Sequence, residues 1–381
     1  MKKGWEYKKL GEVATFINGY AFKPDQWKEY GTPIVRIQNL NNPNAPYNYF
    51  DGEVPDKVKI QNGDLLISWS ASLGAYIWNG GNAFLNQHIF KVAFNKTDVD
   101  KIYLKYAVTS KLETMAGKVH GATMKHIVKK DFDNTLIPFP PKSTQLSIVS
   151  ELDKINKLIR LKKEQLKDYD NLAQSIFYEM FGDPVENEKG FDTKRLDEVF
   201  PLITDGTHQT PTYTEDRENG YKFLSAKDVT SGNINWNNVK FIPAWLHDNL
   251  SKRLKPQKND ILLCKNGTTG ICALVENDET FDIYVSLALL RPSNMHNPKY
   301  LTYAINSPAT KRQFDDSLKG IGVPNLHLKE IRKTIITVPP LPLQHLFAQR
   351  IEQIERQKSA VQKSITDLET LLASRMQYWF E

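Results

Sequence analysis

Two kinds of apolar pattern alternate along the chain, and each occurs twice. Compact runs come first: Leu65-Leu66-Ile67 follows the polar turn Asn62-Gly63-Asp64, and Ile261-Leu262-Leu263 follows Lys258-Asn259-Asp260. An unbroken apolar run of strand length behind a turn predicts a buried strand. Tyr103-Leu104-x-Tyr106-Ala107-x-x-Ser110 and Tyr300-Leu301-x-Tyr303-Ala304-x-x-Ser307 put apolar residues at helical spacing and predict a short helix in each copy. Ile137-Pro138-Phe139-Pro140-Pro141 and Ile336-Thr337-Val338-Pro339-Pro340 then predict a strand that proline turns into an extended connector.

The second pattern is a sparse stripe. Ile148, Leu152, Ile155, Ile159, Lys162, Leu166, Tyr169, Ala173, Ile176 and Met180 alternate steps of four and three. Phe347, Ile351, Ile354, Lys358, Val361, Ile365, Leu368, Leu372, Arg375 and Trp379 repeat those steps. This is the period of a coiled-coil seam. Two helices of equal length bury such stripes most simply against each other, so antiparallel pairing is expected rather than packing of each on its own domain.

Together these patterns predict an α+β chain: two similar mixed α/β domains, each followed by a long helix, the helices pairing as an antiparallel coiled coil. The expected boundaries are 1–141 for the first domain, 142–182 for its helix, 183–190 for a linker, 191–340 for the second domain and 341–381 for the second helix. Gly182 supplies a helix stop, and Asp183-Pro184 opens the linker. The offset between equivalent residues grows from 186 at Leu10 to 199 at Gln145, mostly before Asp64. An insertion in the second copy accounts for it, and it includes Thr204-Asp205-Gly206-Thr207-His208-Gln209-Thr210-Pro211-Thr212-Tyr213. The frame is duplicated and the loops are not, as expected of two scaffolds with different reading surfaces.

Length and composition narrow the class. The 381 residues allow two or three domains, and 40% hydrophobic with 25% charged residues is a globular balance. No run of eighteen apolar residues occurs and no signal-peptide core follows Met1-Lys2-Lys3-Gly4-Trp5, so a soluble cytoplasmic protein without a membrane partner is expected. Cys264 and Cys272 are the two cysteines, too few for a disulfide framework or a thiol zinc site, and read as small buried hydrophobes. The net charge of +6 lies in the first half: residues 1–182 carry 25 Lys and Arg against 19 Asp and Glu, and 183–381 carry 25 against 25.

Catalytic signatures are missing from the sequence. It holds no phosphate-binding G-x-x-x-x-G-K-[ST] and no G-x-S-x-G elbow. The glycine turn and Asn/Asp-Pro-Pro-aromatic tetrad of an adenine methyltransferase are absent. Pro24-Asp25 and Pro55-Asp56 lack a following acidic-x-Lys and read as turns, and the eight histidines form no H-E-x-x-H. The expectation is a non-catalytic chain with no metal and no cofactor of its own.

Several loops concentrate the residue types that contact phosphates and base edges. In the first copy these are Arg36, Gln38, Asn39, Ser70, Ser72, Gln87 and His88, with Lys118, His120, Thr123, Lys125 and His126 in a stretch flanked by glycine. In the second they are Thr207, His208, Thr210, Lys227, Lys265, Asn266, Thr268, Lys319 and Asn325. For each alone an exposed polar loop residue is the competing reading, so the group carries the case. Trp69 reads better as core than as a base-stacking platform, and Arg36, flanked by Ile34-Val35 and Ile37, needs either DNA or an internal carboxylate.

The order of features resembles the specificity subunit of type I restriction-modification enzymes, over essentially all 381 residues. The resemblance rests on Asp205-Gly206-Thr207-His208-x-Thr210-Pro211, Tyr284-Val285-Ser286-Leu287-Ala288, Ile336-x-x-Pro339-Pro340-Leu341-x-x-Gln344 and Gln174-Ser175-Ile176-Phe177-Tyr178-Glu179-Met180-Phe181-Gly182. It implies a subunit without a catalytic site whose two domains each read half of a split double-stranded DNA target. It also implies two modification subunits bringing S-adenosylmethionine, and two restriction subunits that such a complex recruits, using ATP and magnesium. The paired helices are then a spacer, and exposed residues on them such as Arg160, Lys163, Glu164 and Lys167 are candidates for subunit contact. A coiled-coil assembly protein with protein-binding globular ends is the alternative from another class.

Overall fold

The computed structural model describes residues 4–42, 44–116, 127–184, 186–229, 232–318 and 324–381. The chain forms two compact units, Met1–Glu164 with Gln362–Glu381, and Gln165–Val361. Each unit therefore contains part of both long helices.

In the first unit an antiparallel sheet runs in the order Thr15–Asn18, Ile89–Ala93, Leu65–Ser68, Gly74–Ile77. A second sheet runs Asn48–Phe50, Thr32–Val35, Ala83–Leu85, Lys59–Ile60, its two inner strands parallel. The run at Leu65–Ser68 is unbroken because both faces of the strand are covered. Leu65 and Ile67 pack with Phe16, Phe90 and Tyr103, while Leu66 packs with Val35, Trp78 and Leu85. Each such side chain contributes roughly 1.5–3 kcal/mol by leaving water.

The second unit repeats this plan. Its antiparallel sheet runs Leu202–Asp205, Leu287–Arg291, Ile261–Cys264, Cys272–Leu274, and the smaller sheet runs Lys240–Ile242, Tyr221–Leu224, Phe281–Ile283. Ile261 and Leu263 face one core, Leu262 and Cys264 the other. Both cysteines are buried and free.

The proline-rich connectors close each unit as two-stranded ribbons, Glu6–Lys9 with Leu136–Phe139 and Thr193–Arg195 with Ile335–Thr337. Pro138 lies inside its strand, where a ribbon's open edge requires no N–H. The Tyr103 hydroxyl donates to the Pro138 carbonyl at 2.7 Å, and that of Tyr300 to the Thr337 carbonyl at 2.8 Å. Gln145 and Gln344, both buried, then tie each long helix to its unit. Gln145 donates to the Pro140 carbonyl and accepts the Asp100 N–H, and Gln344 does the same with Pro339 and Asn297.

One pair of matched helices differs in length. Lys101–Ala116 is continuous, whereas its counterpart splits into Pro298–Asn306 and Pro308–Ser317. Pro308 lacks the N–H to extend the first helix, and Ser307 caps the second by accepting the Thr310 N–H.

The long helices are Lys142–Phe181 and Leu341–Phe380. In the first unit Ile148 and Leu152, from the start of one, share a core with Leu372, Met376 and Phe380 from the end of the other. Lys163 and Glu369 pair across them at 2.7 Å. In the second unit Ala173, Phe177 and Phe181 share a core with Phe347, Ile351 and Ile354, and Lys358 pairs with Asp170. Start meets end in both, so the helices form the expected antiparallel coiled coil. The seam itself needs correction near the end of each helix. Phe177 and Phe181 are buried where Ile176 and Met180 were expected, and Phe380 where Trp379 was, because an α-helix drifts by about 20° per heptad from a strict 3.5-residue repeat.

Candidate nucleic-acid interface

At one end of the sheets in each unit, loops are laced together by the same main-chain hydrogen bonds. In the first unit the Tyr20 N–H donates to the Leu85 carbonyl at 2.7 Å, Asn86 to Val35 at 3.1 Å, Trp69 to His88 at 3.4 Å and Ile127 to Trp69 at 3.0 Å. In the second, Thr207 donates to Ile283 at 3.0 Å, Tyr284 to Leu224 at 2.8 Å, Lys265 to Ser286 at 2.9 Å and Leu326 to Lys265 at 2.7 Å. Glycine permits the closest approach in both. A Cβ on Gly19 would lie 2.2 Å from the Asn86 carbonyl oxygen, and one on Gly206 2.0 Å from that of Ile283.

This lace pairs unlike side chains on one backbone. Tyr20 answers Thr207, Trp69 answers Lys265, Ser70 answers Asn266, and Asn86-Gln87-His88 answers Tyr284-Val285-Ser286, so residues 204–207, expected in the insertion, belong to the shared frame instead. Arg36 answers Ser225, since each opens a helical turn whose third residue accepts its N–H, Asn39 at 3.0 Å and Asp228 at 2.8 Å.

Among the first-unit candidates, Arg36 is held in place on two sides. Its guanidinium lies over the Trp27 ring at 5.0 Å, and Nη1 donates to the Asn48 side-chain carbonyl at 3.0 Å, so its internal partner is an amide and not a carboxylate. Gln38 is exposed and donates to the Pro46 carbonyl at 3.2 Å. Asn39 is a correction: it is buried, its oxygen caps the turn, and its amide donates to the Ala45 and Pro46 carbonyls. All of its capacity is used inside the loop. Ser70 is likewise buried, while Ser72 and Gln87 are exposed. His88 is half-buried against Trp69, which stacks on Phe90 as a core residue would.

In the second unit Lys265 is also corrected. It is buried, and its Nζ sits 2.6 Å from Asp205 Oδ2 instead of facing solvent. Burial pushes the Asp205 carboxyl up, but the Lys265 hydrogen bond and charge, with His208 adding, hold it below the usual carboxylate range. The His208 ring is exposed, with Nε2 at 3.2 Å from the same oxygen. Thr210, Lys227 and Thr268 are exposed, and Thr207 is half-buried. Asn266 and Asn325 face each other in a two-residue bridge, and the Oδ1 atom of each is buried without a partner. Lys118, His120, Thr123, Lys125, His126 and Lys319 lie outside the described residues.

The fold adds a residue that sequence reasoning missed. Arg253 leaves the turn after the helix Ala244–Leu250, and its Nη2 donates to the Asp205 carbonyl at 2.7 Å. The polar run Ser251-Lys252-Arg253 was its only local signal, and nothing nearby in sequence points to Asp205.

A protein-family model described as type I restriction modification DNA specificity domain matches residues 2–168 and again 188–370. The specificity subunit of type I restriction enzyme EcoBI from Escherichia coli is 23% identical over 389 residues, covering 95% of this chain and 82% of that protein. That of MjaVIII from Methanocaldococcus jannaschii is 24% identical over 401 residues, covering 97% and 92%. Two solved structures share the fold. The S subunit of a type I restriction-modification system from M. genitalium matches with a TM-score of 0.52 at 14% identity, over 100% of this chain and 98% of that one. A chain solved in work on complex assembly and conformational transition of the type I R-M system matches with a TM-score of 0.64 at 18% identity, over 99% and 97%.

Proposed function

Because this chain belongs to the type I restriction-modification DNA specificity family, we propose that it is the subunit that reads DNA sequence in such a complex, each unit reading one half of a two-part target. The observation that carries this is the repeated lace. Four main-chain hydrogen bonds recur in both units, while the side chains they present differ at every matched position. One scaffold with two sets of donors and acceptors is what a target of two unlike halves requires.

The paired helices set the gap between the halves and carry two modification subunits. Each helix of 40 residues is about 60 Å long at 1.5 Å per residue, of the order of two turns of B-DNA at roughly 34 Å each. The subunit contributes no chemistry of its own. S-adenosylmethionine binds the modification subunits, and ATP and magnesium serve two restriction subunits when those join. Lys163 pairs with Glu369 and Arg160 with Glu164, and all four side chains stay exposed, so they remain available to a partner subunit.

Sequencing of methylated adenines in cells with and without this gene tests the reading. A split motif present only with the gene is the expected result. An unchanged methylation pattern, with the modification partners expressed, would overturn it.

A further inference from the structure

We propose that the second unit grips a DNA phosphate with a clamp made of Arg253 and His208 and built on Asp205. The inference rests on the DNA-reading function above and deepens it by assigning the phosphate contact. The second unit, residues 165–361, carries 24 Lys and Arg against 25 Asp and Glu, so it cannot attract DNA by its overall field and needs a local surplus of positive charge. The geometry around Asp205 supplies one. Asp205 and Lys265 are both buried and 2.6 Å apart, so their charges cancel within the unit. Among the described residues the Arg253 side chain hydrogen-bonds only to the neutral Asp205 carbonyl, and no carboxylate lies within ion-pair distance of it. Its charge is therefore uncompensated at the surface, with exposed Lys252 beside it. His208 donates Nε2–H to the Asp205 carboxylate, so its exposed ring offers a phosphate oxygen a second donor, Nδ1–H, as the imidazolium. A planar guanidinium anchored at one nitrogen and an imidazolium, each held by Asp205, suit the oxygens of a phosphodiester.

The clamp also has a register. Lys265 links Asp205 to the bridge Asn266–Asn325, because its carbonyl accepts the Leu326 N–H and its ammonium meets Asp205. A phosphate held at Arg253 thus fixes where the backbone runs relative to those amides. Among the described residues the first unit has no equivalent: Asn18 and Trp69 stand where Asp205 and Lys265 do. The clamp belongs to the second reading surface alone.

The test uses this chain assembled with its modification subunits and a fluorescent duplex carrying the mapped target, with Kd measured against KCl concentration. Arg253→Ala is expected to weaken binding about tenfold on target and non-target duplexes alike and to lower the salt slope by about 1, with the methylated motif unchanged. Arg253→Lys keeps the charge and should keep the slope. Wild-type binding with an unaltered slope in Arg253→Ala overturns the clamp and leaves the DNA-reading function standing. So does a change in the recognised half-site, which would mean that Arg253 shapes the reading loop instead. No salt-sensitive binding by the wild-type assembly would overturn the DNA-reading function itself, and the clamp with it.

Discussion

Gly19 and Gly206 are the smallest residues on which both reading surfaces depend. Alanine at either position would drive a methyl group into a main-chain carbonyl that cannot move without breaking the lace. We expect Gly19→Ala and Gly206→Ala each to cost about 1–3 kcal/mol, read as a lowered unfolding midpoint; an unchanged midpoint would show that the loops yield. Asp205 gives a pH test. Its folded-state pKa lies below the unfolded value of about 3.9, so its stabilisation is complete above that value and disappears as pH falls through the lower, folded one. Asp205→Asn should flatten this acid limb, and by leaving the Lys265 ammonium buried without its partner it should destabilise the unit by about 3–5 kcal/mol at neutral pH. Retained stability across the whole range would contradict the buried pair. At this scale the sequence told residue type and not exposure. Asn39 and Lys265 have DNA-reading chemistry, but their polar atoms are used internally, Lys265 by a residue sixty positions away.

The elements were more legible than the residues. Leu65–Ser68 and Ile261–Cys264 announce themselves because a strand covered on both faces has no polar alternation to disguise it. The long helices show their period plainly, yet the shift of the seam to Phe177 and Phe181 was hidden. The drift brings Phe177 into a core shared by Tyr300 and the partner helix's Phe347, at ring separations of 6.0 and 5.7 Å. Phe177→Ala should therefore cost about 3–5 kcal/mol in denaturant unfolding and Ile176→Ala clearly less. Equal losses would restore the strict heptad. The split of Pro298–Asn306 from Pro308–Ser317 is legible in Pro308, which the matched helix of the first copy lacks.

For the whole molecule the duplication was the strongest signal, since it rests on many residues at once and survives drift in any one of them. Its functional meaning was not contained in either copy alone; it follows from a common lace carrying unlike side chains. The central claim is that these two surfaces read the halves of one target while the paired helices fix the gap. Inserting seven residues into each long helix preserves the seam and lengthens it by about 10 Å, roughly three base pairs. Mapping methylated adenines in cells carrying this variant should return both original half-sites with a longer gap between them. The original gap, or a change in either half-site, would contradict the account.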